Sequence, residues 1–375
     1  MDLKKIKEVF FVFIKLGCIA FGGPAAHIAM MEEELVNKRK WMTHQHFLDM
    51  VGATNLVPGP NSTQMTMHCG HVRAGWLGLI VGGMSFIIPA VIFTLILAIV
   101  YVEYGEIPAI APFFYGIKPA VIGIILNATY KLGKKAFKNW QLAILGFLIL
   151  ALSLYGLDEF LLIISGGILG MLWLSAGSKP KKAGVFAPLL LLFKPLAVSV
   201  SNTSIFLSFL KIALLLFGSG YVLVAYIDAE LVEKLGWLTK QELLDAIAMG
   251  QFTPGPVLTT STFVGYQLGG LSGALWASLG MFLPSFFLVA LLVKLIPLLR
   301  RSVYLSKFLD AVNASAVGIM IAVTLKLGYE VGTEWQAILL MVTSIVLAFR
   351  FPKISTFWVI LGGALLGYLL LLVEV

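Results

Sequence analysis

Two Pro-Gly-Pro triplets, each followed by short hydroxyl side chains, are the residues of this chain best suited to chemistry. Pro58-Gly59-Pro60 precedes Asn61, Ser62, Thr63 and Gln64, and Pro254-Gly255-Pro256 precedes Val257, Leu258, Thr259, Thr260 and Ser261. A helix starting after such a triplet leaves its first N–H groups unpaired, with about half a positive charge at that end. Free N–H groups beside hydroxyls make an oxyanion site that needs no cofactor and little full charge. The plainer reading is that Pro-Gly-Pro turns the chain and Ser or Thr caps the next helix. Two matched copies favour the site.

The triplets belong to a longer duplication. WMTHQHFLDMVGATNLVPGPNSTQMT from Trp41 matches WLTKQELLDAIAMGQFTPGPVLTTST from Trp237, at an offset of 237 − 41 = 196. FGGPAAHIAMMEEELV from Phe21 matches FGSGYVLVAYIDAELV from Phe217 at the same offset. A self-repeat of this length marks two structural units of one ancestry. Gly22-Gly23-Pro24, with His27 one turn later, is a third candidate helix start; Gly218-Ser219-Gly220 stands opposite it without Pro or His. The carboxylates match in pairs, Glu34 with Glu230 and Asp49 with Asp245. Ionisable residues at membrane depth default to functional roles, which makes these four coupling candidates. The other reading sets them in interfacial water or in pairs with Lys or Arg. Trp41 and Trp237 read as interfacial anchors.

Composition says where these residues sit. Of 375 residues, 59% are hydrophobic and 12% charged, with a mean hydropathy of +0.95. A soluble domain is nearer half apolar and a quarter charged, so this chain turns its apolar surface to lipid. The net charge of +8 is carried in short loops, as membrane orientation requires, and does not signal nucleic acid. Lys4, Lys5 and Lys7 before an apolar run resemble a signal peptide, but the run continues into repeat-matched sequence and reads as mature protein. Cys18 and Cys69 suggest no disulfide framework.

The elements follow from the apolar runs. Residues 9–36 break at Gly22-Gly23-Pro24, where Pro removes a donor and Gly loosens the helix. Residues 44–57 and 62–73 are each too short to cross a hydrocarbon core of about 30 Å and read as half-helices. Full-length spans are expected at 76–101, 109–130, 140–155 and 159–175. After a basic linker, 176–200, the plan repeats: a broken segment at 205–231, half-helices around Pro254-Gly255-Pro256, and spans at 271–298, 306–327, 335–349 and 355–373. The expected units are 1–175 and 201–375. The runs Gly78, Gly82-Gly83 and Gly269-Gly270, Gly273 read as helix-packing surfaces.

Loop charge suggests that the units are inverted. In the first unit the loops at Glu103–Glu106, at Lys131–Lys138 and at Asp158-Glu159 are acidic, basic and acidic. The corresponding loops of the second unit carry Arg300, Arg301 and Lys307, then Glu330 and Glu334, then Arg350 and Lys353. Basic loops stay cytoplasmic, so corresponding loops fall on opposite faces, the pattern of an inverted repeat. With single-crossing broken segments this scheme puts the basic N-terminal tail outside, against the same rule, which leaves the crossing count of residues 9–74 open.

Five histidines, His27, His44, His46, His68 and His71, lie in the first unit. His68, His71 and Gln64 share a helical face, with Met65, Met67 and Cys69 nearby, so a soft-metal site is conceivable, but protonatable pore residues or satisfied polar groups are the preferred reading and no metal is expected. None is matched by a histidine; position 27 corresponds to Leu223 and position 71 to Gln267. No cofactor is expected.

FGGPAAH from Phe21, the downstream Glu34 and the duplicated Pro-Gly-Pro resemble the chromate ion transporter family, over essentially the whole chain in its long two-domain form. The resemblance implies an inner-membrane exporter of chromate, a tetrahedral oxyanion shaped like sulfate, driven by membrane potential or an ion gradient. It carries over to Gly22, Gly23, Pro24, His27, Pro58, Gly59 and Pro60. The departure at Gly218-Ser219-Gly220 means that the halves do not contribute identically. The reading is therefore an all-α polytopic transporter, not an enzyme, of two inverted repeats with broken helices. Its expected partners are a divalent oxyanion, chromate or sulfate, and the lipid bilayer; nucleic acid is excluded and a homodimer left open. A sulfate-type uptake carrier and a passive anion channel using the same N–H termini are the alternatives.

Overall fold

The computed structural model describes residues 2–21, 23–55, 57–104, 111–176, 199–217, 220–299, 303–332, 334–351 and 354–372. Gly22, Gly218, Arg300, Arg301, Lys353 and most of the 176–200 linker lie outside the described residues. Within them the chain is helical and forms no strand.

Helix α1 (Leu3–Ile19) starts under an Asp2 cap and stops at Ala20. Gly23 takes φ +80°, a left-handed turn that suits glycine. Helix α2 (Gly23–Met31) then runs on as a π-helical stretch, Glu32–Lys38. It comes back to where α1 began: Arg39 Nη1 lies 3.2 Å and Trp41 Nε1 3.1 Å from Glu8 Oε1. At the other end, His27 Nε2 meets the Ala20 carbonyl at 3.0 Å. The broken segment is a hairpin, not a single crossing.

A second hairpin follows. Helix α3 (His44–Thr54), capped by Thr43, leads to Pro58-Gly59-Pro60. Helix α4 (Asn61–Tyr104) leaves helical geometry at Ala74 and Gly75, where φ is −139° and 65°. The arm before this break folds back on the long arm after it. A Cβ on Gly70 would lie 2.1 Å from the Gly78 carbonyl oxygen, and one on Gly82 2.7 Å from that of Thr66. Only glycine permits this backbone-to-backbone approach, the packing role expected of the small-residue run. Arg73, at the end of the short arm, reaches Glu8 Oε2 at 2.6 Å through Nη2.

Two hairpins return the chain to its starting face. This answers the crossing count of residues 9–74 that the sequence leaves open and removes the conflict over the N-terminal lysines, because the tail shares a face with the basic end of α5 (Ala111–Ala136). The long arm of α4 runs away from that face, α5 runs back, and α6 (Trp140–Leu154) and α7 (Glu159–Ser175) pack together as a further pair.

The second unit repeats the plan with α8 (Asn202–Leu215), a 3-10 turn at Gly220–Val222, α9 (Leu223–Ile227), a π stretch at Asp228–Lys234 and α10 (Lys240–Phe252). A further 3-10 turn, Val257–Thr259, opens α11 (Thr260–Leu299), which breaks at Gly269 and Gly270. The two glycine breaks are 270 − 75 = 195 residues apart, one fewer than the triplets. The tighter 3-10 turn takes up the missing residue. The Thr66 hydroxyl bond to the Thr63 carbonyl at 2.7 Å recurs as Ser261 to Leu258 at 2.8 Å. His71 therefore aligns with Tyr266, not with Gln267.

Helices α12 (Val303–Val331), α13 (Trp335–Arg350) and α14 (Thr356–Leu372) complete the chain. The units interlock: α5 packs on α13 and α14, α12 packs on α6 and α7, and α4 packs on α11. They are also antiparallel. Lys138, just past α5, pairs with Asp310 near the start of α12 at 2.6 Å. Lys326, near the far end of α12, pairs with Glu233 at 2.7 Å. Glu233 and its first-unit counterpart Asn37 thus lie at opposite faces. Exposed Trp140, Phe147, Leu161 and Phe287 form part of an apolar outer surface suited to lipid, and among the described residues three helices are long and apolar enough to cross a membrane.

Candidate functional site

Four of the chain breaks, the two Pro-Gly-Pro turns and those after Ala20 and Leu216, converge on the middle of the bundle. Gly17, three residues before the first break, packs so closely on α4 that a Cβ would lie 2.8 Å from the Phe86 carbonyl oxygen, near the centre of the long arm. A Cβ on Gly255 would lie 2.8 Å from Ala90 Cβ, on the same stretch. A Cβ on Gly59 would lie 2.9 Å from Ser285 Oγ, at the corresponding position of α11. A Cβ on Gly23 would lie 3.0 Å from the Tyr221 hydroxyl, which joins the two remaining breaks.

The tips exchange backbone hydrogen bonds between units. Gly59 N–H donates to the Leu216 carbonyl at 2.7 Å, and Gly255 N–H donates to the Ala20 carbonyl at 2.8 Å. Both glycines have positive φ, +114° and +86°. Each triplet therefore caps the broken helix of the other unit, whose last carbonyls have no intrahelical donor.

Donors differ between the halves. In the first unit Gln64 N–H already bonds Pro60 at 2.9 Å, leaving the N–H groups of Asn61, Ser62 and Thr63 outside the helical pattern. Thr63 is fully buried and its hydroxyl has no partner. Gln64 Nε2 bonds the Pro58 carbonyl at 2.6 Å while its Oε1 is unpartnered. Asn61 is held by Asn55, and Pro24 and Pro60 shape the two turns. In the second unit the hydroxyls bond their own helix: Thr259 to Pro256 at 3.0 Å, Thr260 to Val257 at 2.8 Å and Ser261 to Leu258 at 2.8 Å. The sequence match of Thr63 with Thr259 is not a symmetry of hydrogen bonding. Gly220 packs against Leu258, and Pro254 and Pro256 flank the turning glycine.

His27 is buried with Nδ1 unpartnered. Because a carbonyl only accepts, the bond to Ala20 assigns the proton to Nε2 and leaves a lone pair on Nδ1. His68 is also buried, with Nε2 unpartnered, while His71 stacks edge-on against Trp76. Among the described residues no group of three His, Cys, Asp or Glu is placed to hold a metal.

The four matched carboxylates all have neighbours. Glu34 accepts from Arg39 Nε at 2.8 Å, and that bond holds its carboxyl below the usual carboxylate range. Glu230 pairs with Lys211 and, at 3.4 Å, with Lys234. Asp49 accepts from Gln45 at 3.1 Å. Asp245 is buried between the units, bonded by the Tyr101 hydroxyl at 2.6 Å and by Lys118 at 3.2 Å. Sequence reasoning missed Lys118, although a lysine inside an apolar span was the available signal. It also missed Ala20 and Leu216, which act only through backbone carbonyls.

Composition, paired hairpins and antiparallel units define an all-α polytopic membrane protein of two related halves. The chain belongs to the chromate transporter family, whose profile matches residues 7–171 and 203–368, one match per unit. It is 29% identical over 373 residues to the chromate transport protein of Cupriavidus metallidurans, covering 96% of this chain and 92% of that one. A probable chromate transport protein of Synechococcus elongatus is 30% identical over 338 residues, covering 87% and 85%. An uncharacterized transporter of Methanocaldococcus jannaschii is 28% identical over 381 residues, covering 97% and 94%. No solved structure matches the chain.

Proposed function

We propose that this protein exports chromate, or a closely similar divalent oxyanion, across the inner membrane by alternating access, driven by an ion gradient or the membrane potential. The observation that carries this reading is the meeting of four chain breaks at mid-depth, with unpaired donors on the Asn61–Thr63 turn. Irregular backbone at membrane depth is tolerated where it is buried in protein or lines a cavity. A doubly charged oxyanion must exchange its water shell for hydrogen bonds, and the start of α4 offers N–H groups and the Thr63 hydroxyl. A fixed Lys or Arg at the same place would bind harder and slow release.

The cross-unit bonds favour a carrier over a passive channel. Gly59–Leu216 and Gly255–Ala20 tie each tip to the opposite unit, so movement of one unit past the other must break or slide them. Chromate and sulfate flux in proteoliposomes, under imposed pH and potential gradients, tests the reading. Saturable, gradient-driven counterflow is the expected result. Large unsaturable currents, or no discrimination between driven and undriven flux, overturn it.

A further inference from the structure

The first residues of the two π stretches, Glu32 and Asp228, are counterparts, 228 − 32 = 196 residues apart. Their surroundings differ. Glu32 Oε1 meets His44 Nδ1 at 2.7 Å, and its side chain is 30% exposed. Asp228 is 0% exposed, and neither carboxylate oxygen has a hydrogen-bond partner. The counterpart of His44 is Lys240, the first residue of α10, and no ion pair joins it to Asp228.

The groups around Asp228 are charged. On its own π stretch Glu233 is bonded to Lys326 of α12 at 2.7 Å. Glu159, at the start of α7, is buried and accepts from Ser153 Oγ at 3.4 Å. Asp228 lies within electrostatic reach of Glu233, Lys240 and Lys326, and Glu159 within reach of Asp228, Glu233 and Lys326. Three carboxylates thus face two lysines, and Lys326 is already engaged. An ionised carboxylate sealed from water without a donor is strongly unfavourable, and such a group becomes neutral instead. Glu32, by contrast, has a hydrogen-bond partner in His44.

We propose that Asp228 is a proton-binding site: it is sealed and neutral in the conformation seen here, and ionised and paired with Lys240 when the second unit adopts the arrangement the first unit shows. The proposal rests on the transporter reading, since alternating access by related units implies that each visits the other's arrangement. Uptake forms the Asp228 O–H bond with a proton from water on one face. Release returns that proton to water as the Lys240 ammonium moves against the carboxylate.

Two measurements on the full-length protein in lipid test it. Infrared difference spectra between acidic and alkaline buffer should show the carbonyl stretch of a protonated carboxylic acid, lost in Asp228→Asn and kept in Glu159→Gln. In proteoliposomes, Asp228→Asn should keep tracer exchange of labelled chromate and lose its stimulation by a pH gradient, with Asp228→Glu restoring part of it. A band that survives in Asp228→Asn, or that disappears in Glu159→Gln instead, overturns the assignment. So does an Asp228→Asn variant that a pH gradient still drives. If the parent exchanges neither chromate nor sulfate, the transport reading fails, while the infrared band still decides whether Asp228 binds a proton.

Discussion

Gly255 N–H donates to the Ala20 carbonyl at 2.8 Å, and the same carbonyl faces His27 Nε2 at 3.0 Å. One oxygen therefore joins the end of the first unit's broken helix, the turn of the second unit's triplet and a buried histidine. The carbonyl has two lone pairs, so both donors are accommodated. In the other half the Leu216 carbonyl takes Gly59 N–H, and the neighbouring Leu215 carbonyl takes the Tyr226 hydroxyl. A phenol on the following turn thus performs the capping that the histidine performs in the first unit.

Gly59→Val and Gly255→Val should each abolish flux and lower stability. A β-branched residue at positive φ is strained by about 1–3 kcal/mol. The added Cβ would also lie 2.6 Å from Gln64 Nε2 in one case and 2.8 Å from Ala90 Cβ in the other. Thermal unfolding of the purified variants, alongside flux, checks this. Normal transport by both would remove the triplets from the site.

Thr63→Val and Thr259→Val should differ. The Thr63 hydroxyl is unpartnered, whereas that of Thr259 bonds the Pro256 carbonyl. A hydrogen bond to a charged group contributes about 1.5–3 kcal/mol, so Thr63→Val should weaken chromate binding about tenfold to a hundredfold. Thr259→Val should stay within about threefold of the parent, because a neutral bond is worth less. Equal losses from both would show that the second unit's hydroxyl turns toward the ligand on binding.

Asp245 lies between Tyr101 and Lys118, and the position matching Lys118 in the other half is Asn313. Lys118→Met should destabilise the protein by about 3 kcal/mol, because it leaves a buried carboxylate without its cation. Adding Asp245→Asn to that variant should recover much of the loss. Unfolding midpoints of the two single variants and the double variant measure the coupling. Additive losses would mean that the pair contributes little.

Single cysteines in residues 131–138, at the end of α5, and in residues 326–332, at the end of α12, in a background lacking Cys18 and Cys69, should react with an impermeant reagent from opposite faces. A cysteine near Lys4 should react from the same face as residues 131–138. Labelling of both segments from one face would sink the antiparallel arrangement.

Much of this was legible in the sequence, because repetition exposes itself at any depth. The triplets, Gly22-Gly23-Pro24, the breaks near residues 75 and 270 and the alternating loop charges all lie on the surface of the text. The number of crossings before residue 74 does not. A broken apolar run reads the same whether it continues or doubles back, and only the contacts of Glu8 with Arg39, Trp41 and Arg73 decide. The one-residue slip between halves was hidden for a related reason: a 3-10 turn and an α turn differ in rise, not in composition. Asp228 was one acidic residue among several matched ones, and its isolation from every donor is a property of packing alone.

The interlocking of the units bears on how the protein is made. Helix α5 rests on α13 and α14, which leave the ribosome about 200 residues after it. A Cβ on Gly116 would lie 2.1 Å from the Gly363 carbonyl oxygen, so the α5 groove is cut to fit a backbone that does not yet exist when α5 enters the bilayer. For most of synthesis that groove faces lipid or a chaperone. The first half can complete its tertiary structure only after α14 has been made, and a chain truncated before α14 should be recognised by quality-control proteases as unassembled, however well its own helices have inserted.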